Sequence, residues 1–133
     1  MAGETRLAVR GQADVERARR EARALAGALG FPTVATEELV LAVSELATNL
    51  VRHARDGALT LRALSSLAGV EVESRDAGPG IADVAAALRD GYSTAGGLGG
   101  GLGGVRRLMD DFEVATGPAG TRIVARKWPT RPS

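Results

Sequence analysis

Three short stretches of this sequence hold residue types from which a chemical site could be built. The first is SELATN, residues 44–49. On a helix, Glu45 and Asn49 stand four residues apart and share a face. A carboxylate there can act as a base, and an amide oxygen is a hard ligand suited to Mg2+. Two polar residues at a helix boundary give the same pattern, so spacing alone leaves both readings open. Arg52 and His53 lie one turn further on and are equally compatible with ordinary surface packing.

The second stretch is RDAGPGI, residues 75–81. Asp76 closes a strand-like run, and Gly78 and Gly80 permit tight backbone geometry. The Asp76 carboxylate could accept hydrogen bonds from a ligand amine, or the string could be a simple strand-to-helix turn. The third is GYSTAGGLGGGLGG, residues 91–104, in which eight residues are glycine. Such density disfavours order unless the backbone must come close to something. Gly99, Gly101, Gly103 and Gly104 lead into a helical pattern, and backbone N–H groups at a helix start suit an anion, phosphate above all. A loose surface loop has the same composition. A dinucleotide-binding fingerprint is excluded, because it needs a strand directly before the glycines and a helical segment stands there. The Lys–Ser/Thr pair of a P-loop is missing as well.

The flanking elements must position these stretches. TRLAVR (5–10) alternates and predicts a strand. Residues 12–30 predict a helix whose stripe is Val15, Ala18, Ala22, Leu25 and Leu29, stopped by Gly30 ahead of Pro32. A second helix over about 34–54 buries Leu39, Val43, Leu46 and Leu50; the Glu45/Asn49 face lies about 100° from that stripe, on the helix's shoulder. Strands at 58–64 and 70–76 form a hairpin, 81–91 a short helix, and VRRLMDDF a further helix. A last hairpin pairs 112–116 with 121–128 around GPAG, and the tail after 128 is expected to fray. Strands joined by short loops pair antiparallel. The expected fold is an α/β (α+β) two-layer sandwich, with a mixed, largely antiparallel sheet of about five strands and about three main helices on one face. Residues 1–133 read as one domain.

Composition narrows the function. The chain has 133 residues, 44% hydrophobic and 25% charged, as in a globular protein with a core. Phe31, Tyr92, Phe112 and Trp128 are its only aromatic residues, so Leu, Val and Ala must fill that core. The net charge of +1 gives no basic field, which argues against a nucleic-acid partner. Arg17, Arg19, Arg20 and Arg23 are interleaved with Glu16 and Glu21 and read as a solvated helix face. Cysteine is absent, which fits a reducing compartment. No secretory leader and no membrane-spanning run is apparent, and a cytoplasmic location is expected, with no membrane partner.

Taken in order, the three motifs resemble the Bergerat ATP-binding fold of gyrases and histidine kinases. Glu45 and Asn49 match its N box. Asp76, Gly78 and Gly80 match its first glycine box, and Gly99, Gly101 and Gly103 its second. Thr121, in GTRIV, matches the threonine of the final hairpin. The resemblance spans essentially the whole chain. With no room for a dimerisation or transducer domain, the chain is most similar to the stand-alone serine/threonine kinases that regulate bacterial sigma factors. DGYSTAGGLGGGLGGVRRLMDDFEV and the closing RKW point to their stressosome switch-kinase branch. The resemblance implies ATP and Mg2+ as cofactors, with Glu45 orienting or deprotonating the attacking hydroxyl and Asn49 holding Mg2+. It implies Asp76 accepting from the adenine amine, Arg52 near phosphate and His53 near adenine. Ile81, Gly97, Leu98 and Leu102 complete the expected nucleotide-binding set. STAS-domain proteins are the implied substrates and antagonists, and a PP2C-type phosphatase the implied downstream partner. An anti-sigma factor holding a sigma factor, or a binding module without transfer, are the alternatives. Gly100 departs from the family pattern, which usually has Leu there, and so removes an apolar anchor from the lid.

Overall fold

The computed structural model describes residues 4–54, 56–65, 68–78 and 101–130. The helix expected over 81–91, the first part of the glycine stretch and the tail at 131–133 lie outside the described residues. The elements are β1 (Glu4–Ala8), α1 (Gln12–Ala28), α2 (Thr33–His53), β2 (Ala58–Ala63), β3 (Val70–Asp76), α3 (Gly101–Leu108), β4 (Asp111–Gly117) and β5 (Gly120–Lys127). They form the α+β architecture that the sequence predicts. The five strands run in the order β1-β2-β3-β5-β4, and all four pairings are antiparallel.

Local signals set the helix ends. At the start of α1 the Asp14 carboxylate accepts the backbone N–H groups of Arg10 and Gly11, which draws its pKa below the usual carboxylate value. At its end Phe31 N–H donates to Ala26 and Gly30 N–H to Gly27, the paired bonds of a Schellman motif closed by Gly30. Pro32, extended at φ −63°, then caps α2. The Arg-rich face of α1 is solvated as expected, with Arg19 near Glu16 and Arg23 bonded to Glu37 of α2. The last helix begins four residues before the expected Val105, inside the glycine stretch. Gly101 opens it with φ +67°, a conformation that glycine adopts at no steric cost.

Alternation gives the sheet two distinct faces. Leu7, Leu59, Leu61, Val70, Val72, Ile123 and Ala125 point to the helices and join Val15, Ala18, Ala22, Leu39, Val43 and Leu46 in one core. Among the described residues, the opposite face carries a lattice of ion pairs. Arg62 donates to Glu4, Glu71 and Glu73, and Arg126 to Glu71 and Glu113. Arg75 and Arg122 both donate to Glu73 Oε2, at 2.7 and 2.6 Å. Thr60 and Val124 flank Glu73 in the ladder and are buried on this face.

Burial by itself would push the Glu73 carboxyl up, but hydrogen bonds from Arg122, Arg75 and Arg62 outweigh it and hold the group at about 2. The folded-state value is thus below the ordinary 4.5. The lattice therefore stabilises fully above about pH 4.5, and this contribution is lost as the pH falls towards 2. Glu73→Gln should cost about 2 kcal/mol at pH 7, because Arg75 and Arg122 lose the carboxylate they share and Arg62 loses one of its three. Urea unfolding across pH 2 to 7 checks this: the gap between wild type and variant should shrink in acid, and a pH-independent gap would assign the effect to packing.

Candidate functional site

One end of the helix-facing side of the sheet carries a row of polar side chains. Asp76, the last residue of β3, lies opposite Thr121 of β5, and Thr121 lies opposite Thr116 of β4. The hydroxyls of Thr116 and Thr121 are 2.8 Å apart. Asp76 Oδ1 accepts the Gly78 N–H at 2.8 Å, so the first turn of the glycine-containing segment fixes the carboxylate. Among the described residues its second oxygen accepts no hydrogen bond. Gly78 and Thr121 are buried, and Asp76 is half-buried.

Helix α2 supplies the second group. Glu45 is 4% exposed, rarely seen for a carboxylate, although its spacing alone would suit a surface residue. Asn49, one turn on, is half-buried, and Arg52 and His53 are exposed in the last turn. The four residues follow one line along the helix at i, i+4, i+7 and i+8. Among the described residues, neither the Arg52 nor the His53 side chain makes a hydrogen bond or ion pair.

Helix α3 supplies the third. Gly101, Leu102 and Gly103 are buried in its first turn, and α3 packs on α2. Because α2 also contacts β3, it is the shared neighbour that joins all three motif-bearing elements. Gly80, Ile81, Gly97, Leu98, Gly99 and Gly100 lie outside the described residues. Among the described residues no three His, Cys, Asp or Glu side chains gather as a metal cluster. A cation here would be held by Asn49, by anionic oxygens of a ligand and by water, which is the habit of Mg2+.

The pattern over residues 10–127 matches the histidine kinase-like ATPase domain. The chain belongs to that family. That family is one of ATPase domains. The chain is 41% identical over 118 residues to the serine/threonine-protein kinase RsbT of Bacillus subtilis strain 168, an alignment covering 86% of this chain and 89% of that protein. It is thus a serine/threonine kinase of the RsbT type. Among solved structures, the RsbU and RsbW domains of a Mycobacterium tuberculosis protein match with a TM-score of 0.68 at 19% identity, over 98% of this chain and 33% of that one. The histidine kinase domain of a blue-light activated kinase from Erythrobacter litoralis matches with a TM-score of 0.53 at 24% identity, over 86% of this chain and 63% of that one. This chain thus spans a third and under two thirds of those two lengths, and both likenesses concern the fold. No helix among the described residues is long and apolar enough to cross a membrane.

Two residues of this row escape the sequence pattern. Thr116 is an ordinary strand residue until the register sets it beside Thr121. Gly120 reads only as the end of a GPAG turn, yet it has φ +144°, and a Cβ there would sit 2.1 Å from the Asp76 carbonyl oxygen. The only sequence signal is a glycine directly before Thr121. Gly120→Ala should therefore lever β5 from β3 at the Asp76–Thr121 pair. The expected outcome is a loss of about 2–3 kcal/mol in stability, from a strained backbone and the steric clash. Thermal unfolding checks the loss, and the control Gly117→Ala, where a Cβ meets nothing within 4 Å, should cost far less.

Proposed function

We propose that this kinase transfers the γ-phosphoryl group of ATP to a serine or threonine of STAS-domain antagonist proteins. Phosphorylation would release the kinase to bind a downstream regulator, such as a PP2C-type phosphatase, in a stress or sigma-factor pathway. The observation that carries the reading is the buried Glu45, one helical turn before Asn49, on the helix that packs against both β3 and α3. The kinship with a serine/threonine-protein kinase over most of both chains supports the reaction class.

The geometry supports the following roles. Asp76, with one oxygen tied to Gly78, offers the other to the exocyclic amine of adenine. Guanine presents a carbonyl at that position and would meet a carboxylate lone pair, so the site selects adenine. Thr121, buried beside it, can bond a ring nitrogen of the base. The backbone at the start of α3 faces the phosphates with N–H groups and the positive end of the helix dipole. Glu45, withdrawn from water, accepts a hydrogen bond from the substrate hydroxyl and orients it for in-line attack; the hydroxyl proton passes to its carboxylate as the new O–P bond forms and the bond from the γ-phosphorus to the bridging oxygen breaks, releasing ADP. Asn49 would hold Mg2+, which when bound neutralises charge on the phosphates. In this reading Arg52 and His53, exposed on the same line of α2, would meet phosphate and the base edge.

The test is transfer from labelled ATP, with Mg2+, to purified STAS-domain proteins. Glu45→Gln should lower transfer at least about 100-fold while ATP affinity changes little. Asp76→Asn should weaken ATP binding about 10-fold or more, because the amide presents one acceptor in place of two. Transfer at the wild-type rate by Glu45→Gln would overturn its role. ATP binding without transfer to any STAS protein would favour a binding module, and capture of a sigma factor would favour an anti-sigma factor.

A further inference from the structure

The largest fully buried side chain among the described residues is a lysine. Lys127 lies at the end of β5 on the helix-facing side, where the alternation Thr121, Ile123, Ala125 calls for an apolar residue. It is 1% exposed. Its ammonium donates to Glu38 Oε1 of α2 at 2.7 Å and to the carbonyl oxygen of Leu108, the last residue of α3, at 2.6 Å. The residues on either side grip the same place. Arg126 accepts the Asp110 N–H at 2.8 Å, and Trp128 N–H donates to the Asp110 carboxylate at 2.9 Å. Three consecutive residues of β5 and its exit thus clasp the segment that ends α3.

Stability alone does not account for a cation there. Lys127 is buried while Glu38 keeps part of its surface in water, and a buried charge is commonly matched or bettered by an apolar residue of similar size, because it must be desolvated. The pair does supply direction. A lysine ammonium on a C-terminal carbonyl complements the helix dipole and holds that carbonyl at one distance from α2. Helix α3 needs such a tie: Gly101, Gly103 and Gly104 bring no side chains to anchor it. At eight residues it is about 12 Å long, so a shift at Leu108 is carried to Gly101.

We propose that Lys127 is a positioning residue for the nucleotide phosphates. Clasping Leu108 to Glu38, it fixes the α3 N-terminus relative to Glu45 and Asn49, which lie two and three turns along α2 from Glu38. The inference rests on the proposed nucleotide site and adds the element that sets its phosphate end.

The test separates positioning from folding by pairing two variants. Lys127→Met removes the ammonium that bonds Glu38 and the Leu108 carbonyl, and should unfold at lower temperature. Adding Glu38→Leu removes both charges and should restore the melting temperature close to wild type. Calorimetry then measures ATP, and NMR titration measures adenosine, against wild type and the double variant. The expected result is ATP affinity about 10-fold weaker in the double variant, with adenosine affinity unchanged, since only the phosphate end has moved. A double variant that folds and binds ATP like wild type would overturn the proposal and leave the nucleotide site standing. Parallel losses for ATP and adenosine would also overturn it, as general damage to the pocket. Wild-type protein that binds neither ligand would overturn the site reading itself, and this inference with it.

Discussion

Val70 lies opposite Lys127 and Asp76 opposite Thr121, and this register of β3 on β5 is the constraint on which the rest of the structure depends. It sorts the two central strands into opposed sets. Val70, Val72, Ile123 and Ala125 meet the helices, while Glu71, Glu73, Arg75, Arg122 and Arg126 meet one another in the ion lattice. A slip of one residue would turn every side chain to the wrong face, burying the lattice and exposing the core. Both faces therefore enforce the same alignment. That alignment also sets the two polar ends of the pair: Asp76 and Thr121 at one, Lys127 at the other.

Helix α2 converts this frame into a site. It is covered by α1, the sheet and α3, and its apolar stripe is broadened by Ala35, Ala42 and Ala47. Small side chains let neighbours approach closely on the shoulder that carries Glu45. The carboxylate is thus withdrawn from water by packing on either side of it. Towards the C-terminus the same line of residues emerges from the core, through half-buried Asn49 to exposed Arg52 and His53.

Helix α3 is the weak element. Glycine costs about 1 kcal/mol per position in a helix relative to alanine, and this helix has three within its first four residues. Its order comes from tertiary fastening: a buried face on α2, and the hydrogen bonds of Lys127, Arg126 and Trp128 at its far end. Poor local propensity and strong fastening belong together if its backbone, and not its side chains, is to meet a ligand.

Much of this was legible in the residues. Alternation in 58–64, 70–76 and 121–128 predicted the strands and their faces, and the stripes of Val15 to Leu29 and Leu39 to Leu50 predicted the helices. Gly30 before Pro32 announced the stop between them. Those signals are local, set by side-chain period and by the conformations that glycine and proline allow. The motifs at Glu45, Asp76 and Gly101 were legible for the same reason. The start of α3 was misjudged because glycine propensity opposes a helix that packing imposes. Gly120 against Asp76, Thr116 beside Thr121, Glu73 under its arginines and Lys127 between Glu38 and Leu108 left no local mark. The Lys127–Glu38 bond spans 89 residues and the Arg122–Glu73 bond 49. The sequence by itself determined the elements, their apolar faces and the residue types available for chemistry. Only the tertiary structure decided which charges are buried together and which backbones touch, because strand register and helix docking couple residues that no local period connects.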